Sequence, residues 1–142
     1  MDLKTEKKMA KMVVAVQLHC DEQIIAAMTC SHAGSMSSVL VSKLAGGIGG
    51  MANTSNLPNP VFIAVGANTV YAFDYLPRGF KFKIKKEVAR WPRSEINVES
   101  DRSVGMCQFV ITTSSGESYP LEVPTMMGVR ELVDMFLQAL GG

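Results

Sequence analysis

A chain of 142 residues with 47% apolar and 19% charged side chains has the size of one domain and lies far from disordered or collagen-like compositions. Its net charge of +1 gives no whole-molecule attraction for nucleic acid, so any such attraction must come from local clustering. Cys20, Cys30 and Cys107 are an odd number with no CxxC pair, which argues against a secreted disulfide framework, suits a reducing compartment and reads them mainly as small buried apolar residues.

Residues 3–19 place Met9, Met12, Val13 and Val16 on one helical face, with Glu6, Lys7 and Lys11 opposite, which predicts a short amphipathic helix packed on another element. The apolar run 12–16 is too short for a signal-peptide core, and no stretch approaches the roughly 20 apolar residues of a membrane span. The expected location is cytoplasmic. Asp21-Glu22 breaks the helix, and Gln23 to Thr29 reads as a first strand through Ile24, Ile25 and Met28.

Residues 31–60 turn to Gly, Ser, Asn and small apolar side chains. Within them Met36, Val39, Leu40 and Leu44 follow helical spacing, ended by Gly46-Gly47-Ile48-Gly49-Gly50. An insertion of this length inside one domain is a functional element or a partly disordered one.

From residue 61 the pattern is regular. Val61 to Val65 and Thr69 to Phe73 form a hairpin about Gly66-Ala67-Asn68. Leu76-Pro77-Arg78-Gly79 predicts the next turn. Phe80, Phe82 and Ile84 then alternate with Lys81, Lys83 and Lys85, giving an apolar face and a cationic one. Ile96 and Val98 mark a fifth strand, Cys107, Phe109 and Ile111 a sixth, and Tyr119, Leu121 and Val123 a seventh, with Ser114-Ser115-Gly116 as the last hairpin turn. Thr125 is placed to cap a final helix whose stripe is Val129, Leu132, Val133, Phe136 and Leu140.

The predicted fold is therefore mainly β: an antiparallel seven-strand barrel or sandwich over residues 1–142, with an N-terminal helix within 1–20 and a C-terminal capping helix. Leu18-x-x-x-Glu22-x-Ile24-Ile25, the central hairpin 61–73, Pro92-x-x-x-Ile96-x-Val98, the turn at 114–116 and the closing helix together resemble the bacterial pleckstrin-homology-like domains, a superfold shared with GRAM-type domains. The resemblance spans residues 18–140. It implies a binding or scaffolding role, and fold alone does not name the ligand. Lipid-binding members carry basic residues after the first strand, where this chain has only Lys43.

Residues 78–93 hold seven of the chain's 14 cations, Arg78, Lys81, Lys83, Lys85, Lys86, Arg90 and Arg93, and one of its 13 acids, Glu87. One reading is a solvated edge whose lysines oppose aggregation. The other is a patch for anionic lipid headgroups, each cation contributing on the order of 1 kcal/mol. Nucleic acid is not expected, because Tyr71, Phe73, Phe80 and Phe82 alternate as core residues and leave no stacking platform. Met36, Val39, Leu40 and Leu44 are candidate partner contacts, and ten methionines suit adaptable packing.

Other constellations are less complete. Gly47-Ile48-Gly49-Gly50 after Val39-Leu40-Val41 resembles a dinucleotide fingerprint, yet Asn53 to Pro58 cannot continue a helix and no acid follows before Asp74. His19, Cys20, Cys30 and His32 lack zinc-ligand spacing. There is no nucleophile elbow and there are only two histidines. No catalytic, cofactor-binding or metal-binding residues are expected. The expected function is a non-enzymatic domain that binds a protein partner or itself. Peripheral binding to an anionic membrane surface is the alternative, and a dinucleotide-dependent enzyme is a third reading.

Overall fold

The computed structural model describes residues 3–32, 57–78, 81–103, 105–125 and 129–141. Helix α1 (Leu3–Gln17) buries Thr5, Met9, Met12 and Val16, the face expected from the spacing. Its last residue ties it to the first strand. The Gln17 carboxamide donates to the Glu22 carbonyl and accepts from the Ile24 N–H, both at 2.8 Å.

Among the described residues seven antiparallel strands make up the body of the fold: β1 (Ile24–His32), β2 (Val61–Gly66), β3 (Thr69–Arg78), β4 (Lys81–Pro92), β5 (Ile96–Ser103), β6 (Met106–Thr113) and β7 (Ser118–Pro124). They form one ladder in the order β4-β3-β2-β1-β7-β6-β5. β1 is the joint. Residues up to Cys30 pair with β2, while Ser31 and His32 pair with Glu122 and Leu121 of β7. The sheet folds over at this joint, so that Trp91 of β4 meets Tyr119 of β7 with ring centroids 5.1 Å apart.

β2 is buried at every position, which its unbroken run of apolar residues requires. The N–H of Ala27 in neighbouring β1 donates to Met9 Sδ of α1 at 3.3 Å, and the imidazole of His19 lies edge-on to Phe73 of β3. The helix therefore covers the outer side of the β1–β4 half. The inner side faces the second half, where α2 (Arg130–Leu140) buries Leu132, Val133, Phe136, Leu137 and Leu140. Phe136 sits edge-on to Phe109 of β6 at 5.8 Å.

Two expectations about local chemistry are corrected. Leu76, Pro77 and Arg78 are not in the turn: β3 runs on to Arg78, and Pro77 pairs with Phe82 inside the ladder, while Gly79 lies outside the described residues. β2 pairs with β3 only as far as Phe73, so among the described residues those beyond it have β4 as their one strand neighbour, and a proline without an N–H is tolerated there. Nor does Thr125 cap the last helix. α2 starts after Val129 with no side-chain cap, and the Thr125 N–H instead donates to the Gly105 carbonyl at 3.0 Å, pinning the end of β7 to the β5–β6 turn. Gly141, at φ 100°, closes α2 by donating to the Leu137 carbonyl, the left-handed terminus glycine permits.

Candidate functional site

The turn between α1 and β1 places two carboxylates against the β2–β3 hairpin. Glu22 Oε1 accepts from the N–H groups of Asn68 (3.1 Å) and Thr69 (2.8 Å), satisfying two donors at the hairpin tip. Gly66 makes room for it, since a Cβ there would lie 2.7 Å from Glu22 Cδ. Glu22→Ala should cost about 2 kcal/mol, the value of hydrogen bonds to a charged acceptor. Gly66→Ala should cost about the same by expelling that carboxylate, and the double variant little more than either alone. Equilibrium urea unfolding of the three variants measures this directly.

Asp21 accepts from the Tyr71 hydroxyl at 2.6 Å and from Arg90 at 3.3 Å. The Tyr71 bond first, then its own backbone and Arg90, hold its carboxyl below the ordinary 3.8. Asp21 thus contributes stability above that value and loses it as the pH falls through its lowered one. Arg90 also grips Glu87 with two bonds of 2.7 and 2.8 Å and lies 5.0 Å over the Tyr71 ring. Cys20 lies among these acids. Burial, then Glu87 and Asp21, push its thiol up to about 11, which leaves it protonated and poorly nucleophilic at neutral pH.

Arg93 joins distant parts of the chain. Its guanidinium donates to the carbonyls of Gly66 (3.2 Å) and Ala67 (3.4 Å) in the β2–β3 hairpin and Ala139 (2.6 Å) in the last turn of α2. A cation at a helix C-terminus also complements the helix dipole. A polar depression of about 710 Å³ borders this clamp between Asn68, Asn97 and Gly141. Among the described residues its one charged lining group is Arg93, already committed to backbone carbonyls.

The seven cations of residues 78–93 differ in their surroundings. Arg90 and Arg93 serve intramolecular contacts, while Lys83, Lys85 and Lys86 are exposed and have no ion-pair partner among the described residues. The side chains of Arg78 and Lys81 lie outside the described residues, although their backbones pair with each other at the start of the β3–β4 ladder. β4 is the terminal strand of the sheet. Met36, Val39, Leu40 and Leu44, and the glycines at 46–50, also lie outside the described residues.

The histidines are spoken for differently. His32 Nε2 lies 3.0 Å from the Pro58 carbonyl, which can only accept, so that nitrogen carries the proton. Its backbone N–H donates to Asn59 Oδ1. No group of three or more His, Cys, Asp or Glu side chains gathers among the described residues, and none of the described helices is long and apolar enough to cross a membrane.

Seven antiparallel strands with a C-terminal closing helix make this a pleckstrin-homology-like fold, with α1 added over the outer side of its first half. The chain matches no protein-family model and no curated protein. Among solved structures it is similar to Vav1 inhibited by an allosteric inhibitor, at 12% identity over 97% of this chain with a TM-score of 0.48. It is also similar to autoinhibited Vav1, at 13% identity over 98% with a TM-score of 0.46. The chain spans 34% and 24% of the length of those structures, and at such scores neither likeness bears on what it binds.

Proposed function

We propose that this chain is a non-enzymatic binding domain that engages an extended, acidic segment of a protein partner along the free edge of β4. The observation behind this reading is that edge itself: among the described residues β4 has one neighbour, β3, and it presents Lys83, Lys85 and Lys86 to solvent. A terminal strand offers unpaired N–H and C=O groups on which an extended peptide can add, with side chains supplying selectivity. The guarded thiol of Cys20 and the structural bonds of His32 fit a role without catalysis.

The test is backbone amide exchange over residues 82–87 with a synthetic peptide of alternating Glu and Val. Protection is expected, with binding weakened about tenfold in the Lys83→Gln, Lys85→Gln, Lys86→Gln variant, because rim charges each contribute up to ~1 kcal/mol. Unchanged exchange at saturating peptide would remove the reading. Leu76, 40% exposed, pairs with Lys83 and gives the same edge one apolar contact suited to an anionic membrane surface. If the protein instead sediments with phosphatidylserine vesicles but not phosphatidylcholine vesicles, and the peptide gives no protection, the membrane reading replaces the peptide one.

A further inference from the structure

A second concavity lies where α1, β1, β4, β7 and the start of α2 converge. Its volume is about 310 Å³. Its walls are mainly apolar, from Met12, Met28, Phe82 and Leu132, and Lys8 and Lys11 of α1 also line it. The two lysines are three residues apart and so share one side of the helix. Lys8 is half-buried and Lys11 exposed, so the cavity carries two cationic residues on its α1 side.

We propose that this cavity binds one anionic single-chain amphiphile, its alkyl chain among Met12, Met28, Phe82 and Leu132 and its head group at Lys8 and Lys11. Size and charge select that class. At about 310 Å³ the space is at the small end of ligand pockets, which run from roughly 300 to 1,000 Å³. A volume of that order suits one alkyl chain. Methionine walls adapt to a flexible chain, since their unbranched thioethers repack easily. The positive rim favours a carboxylate or phosphate over a neutral or cationic head. Glu131, the nearest acid in sequence on the first turn of α2, accepts from Thr5 Oγ1 at 3.4 Å and does not line the cavity. The site shares Phe82 with the β4 strand, but Lys8, Lys11 and Val129 take no part in the peptide-binding reading, so variants at those positions test the cavity without testing that reading.

Isothermal titration with sodium decanoate, 1-decanol and decyltrimethylammonium, all below micellar concentration, tests the assignment. Decanoate is expected to bind with one-to-one stoichiometry and about tenfold more tightly than the other two, since each exposed ion pair contributes a factor of up to roughly five. The Lys8→Gln, Lys11→Gln variant should lose that preference and keep its melting temperature. Val129→Phe, which fills the cavity from its lining, should abolish binding of all three. Equal affinity for the three heads, several molecules bound per chain, or no binding would overturn the proposal. Phosphatidylcholine vesicles doped with lysophosphatidic acid separate the two sources of such a ligand: sedimentation with them, lost in the Val129→Phe variant, assigns a membrane lipid, and decanoate binding without sedimentation assigns a free fatty acid.

Discussion

Phe136→Ala should destabilise the protein by about 3–5 kcal/mol, the range for emptying a large aromatic site in a packed core. The ring has no exposed surface, and it lies edge-on to Phe109 on a helix that buries four other apolar side chains against the sheet. Its removal leaves a void that rigid strands cannot collapse to fill. For a domain of this length the melting temperature should fall by roughly 10 °C or more. Phe136→Leu, which keeps most of the volume, should cost less than half as much. Thermal unfolding followed by circular dichroism distinguishes the two, and an unchanged midpoint in the alanine variant would remove α2 from the core.

Arg93→Met should cost about 2–3 kcal/mol, through a different mechanism. The methionine keeps the aliphatic stem but leaves the carbonyls of Gly66, Ala67 and Ala139 without their charged donor, and hydrogen bonds to charged groups contribute roughly 1.5–3 kcal/mol. Only a planar guanidinium can reach a hairpin on one side and a helix end on the other, so Arg93→Lys should recover less than half of the loss. The amide of Gly141, which closes α2, should exchange faster with solvent in both variants, because the helix end is held by that donor. Equal exchange in all three proteins would show the clamp to be dispensable.

These two residues are legible in the sequence to different degrees. Phe136 belongs to a stripe at positions 129, 132, 133, 136 and 140 that any helical projection reveals. Arg93 sits in a run of cations and reads as one more member of a basic patch. Its partners are 26, 27 and 46 residues away, and they are backbone carbonyls, which carry no side-chain signature. Arg90 falls into the same group for the same reason. Its contact with Asp21 crosses 69 residues, and only the packing of the α1–β1 turn on β3 and β4 brings the two together.

The strands divide in the same way. Alternation over 80–85 puts Lys83 and Lys85 outside, because the pleat turns successive side chains to opposite faces whatever the neighbours are. The same local reasoning puts a turn at Pro77, since proline and glycine favour one. It also puts a cap at Thr125, since threonine caps well. Both expectations fail where a longer ladder or a backbone contact to Gly105 uses the segment otherwise.

Among the described residues, periodicity within a few positions is enough to give the seven strands, the first and last helices and the face each of these helices buries. Which cations are engaged in intramolecular contacts is settled by long-range packing. So is the seat of α1 over the outer side of the first half-sheet, where its lysines meet an apolar hollow built from four other elements. Those outcomes depend on residues far apart in the chain meeting in space, and no local pattern encodes such meetings.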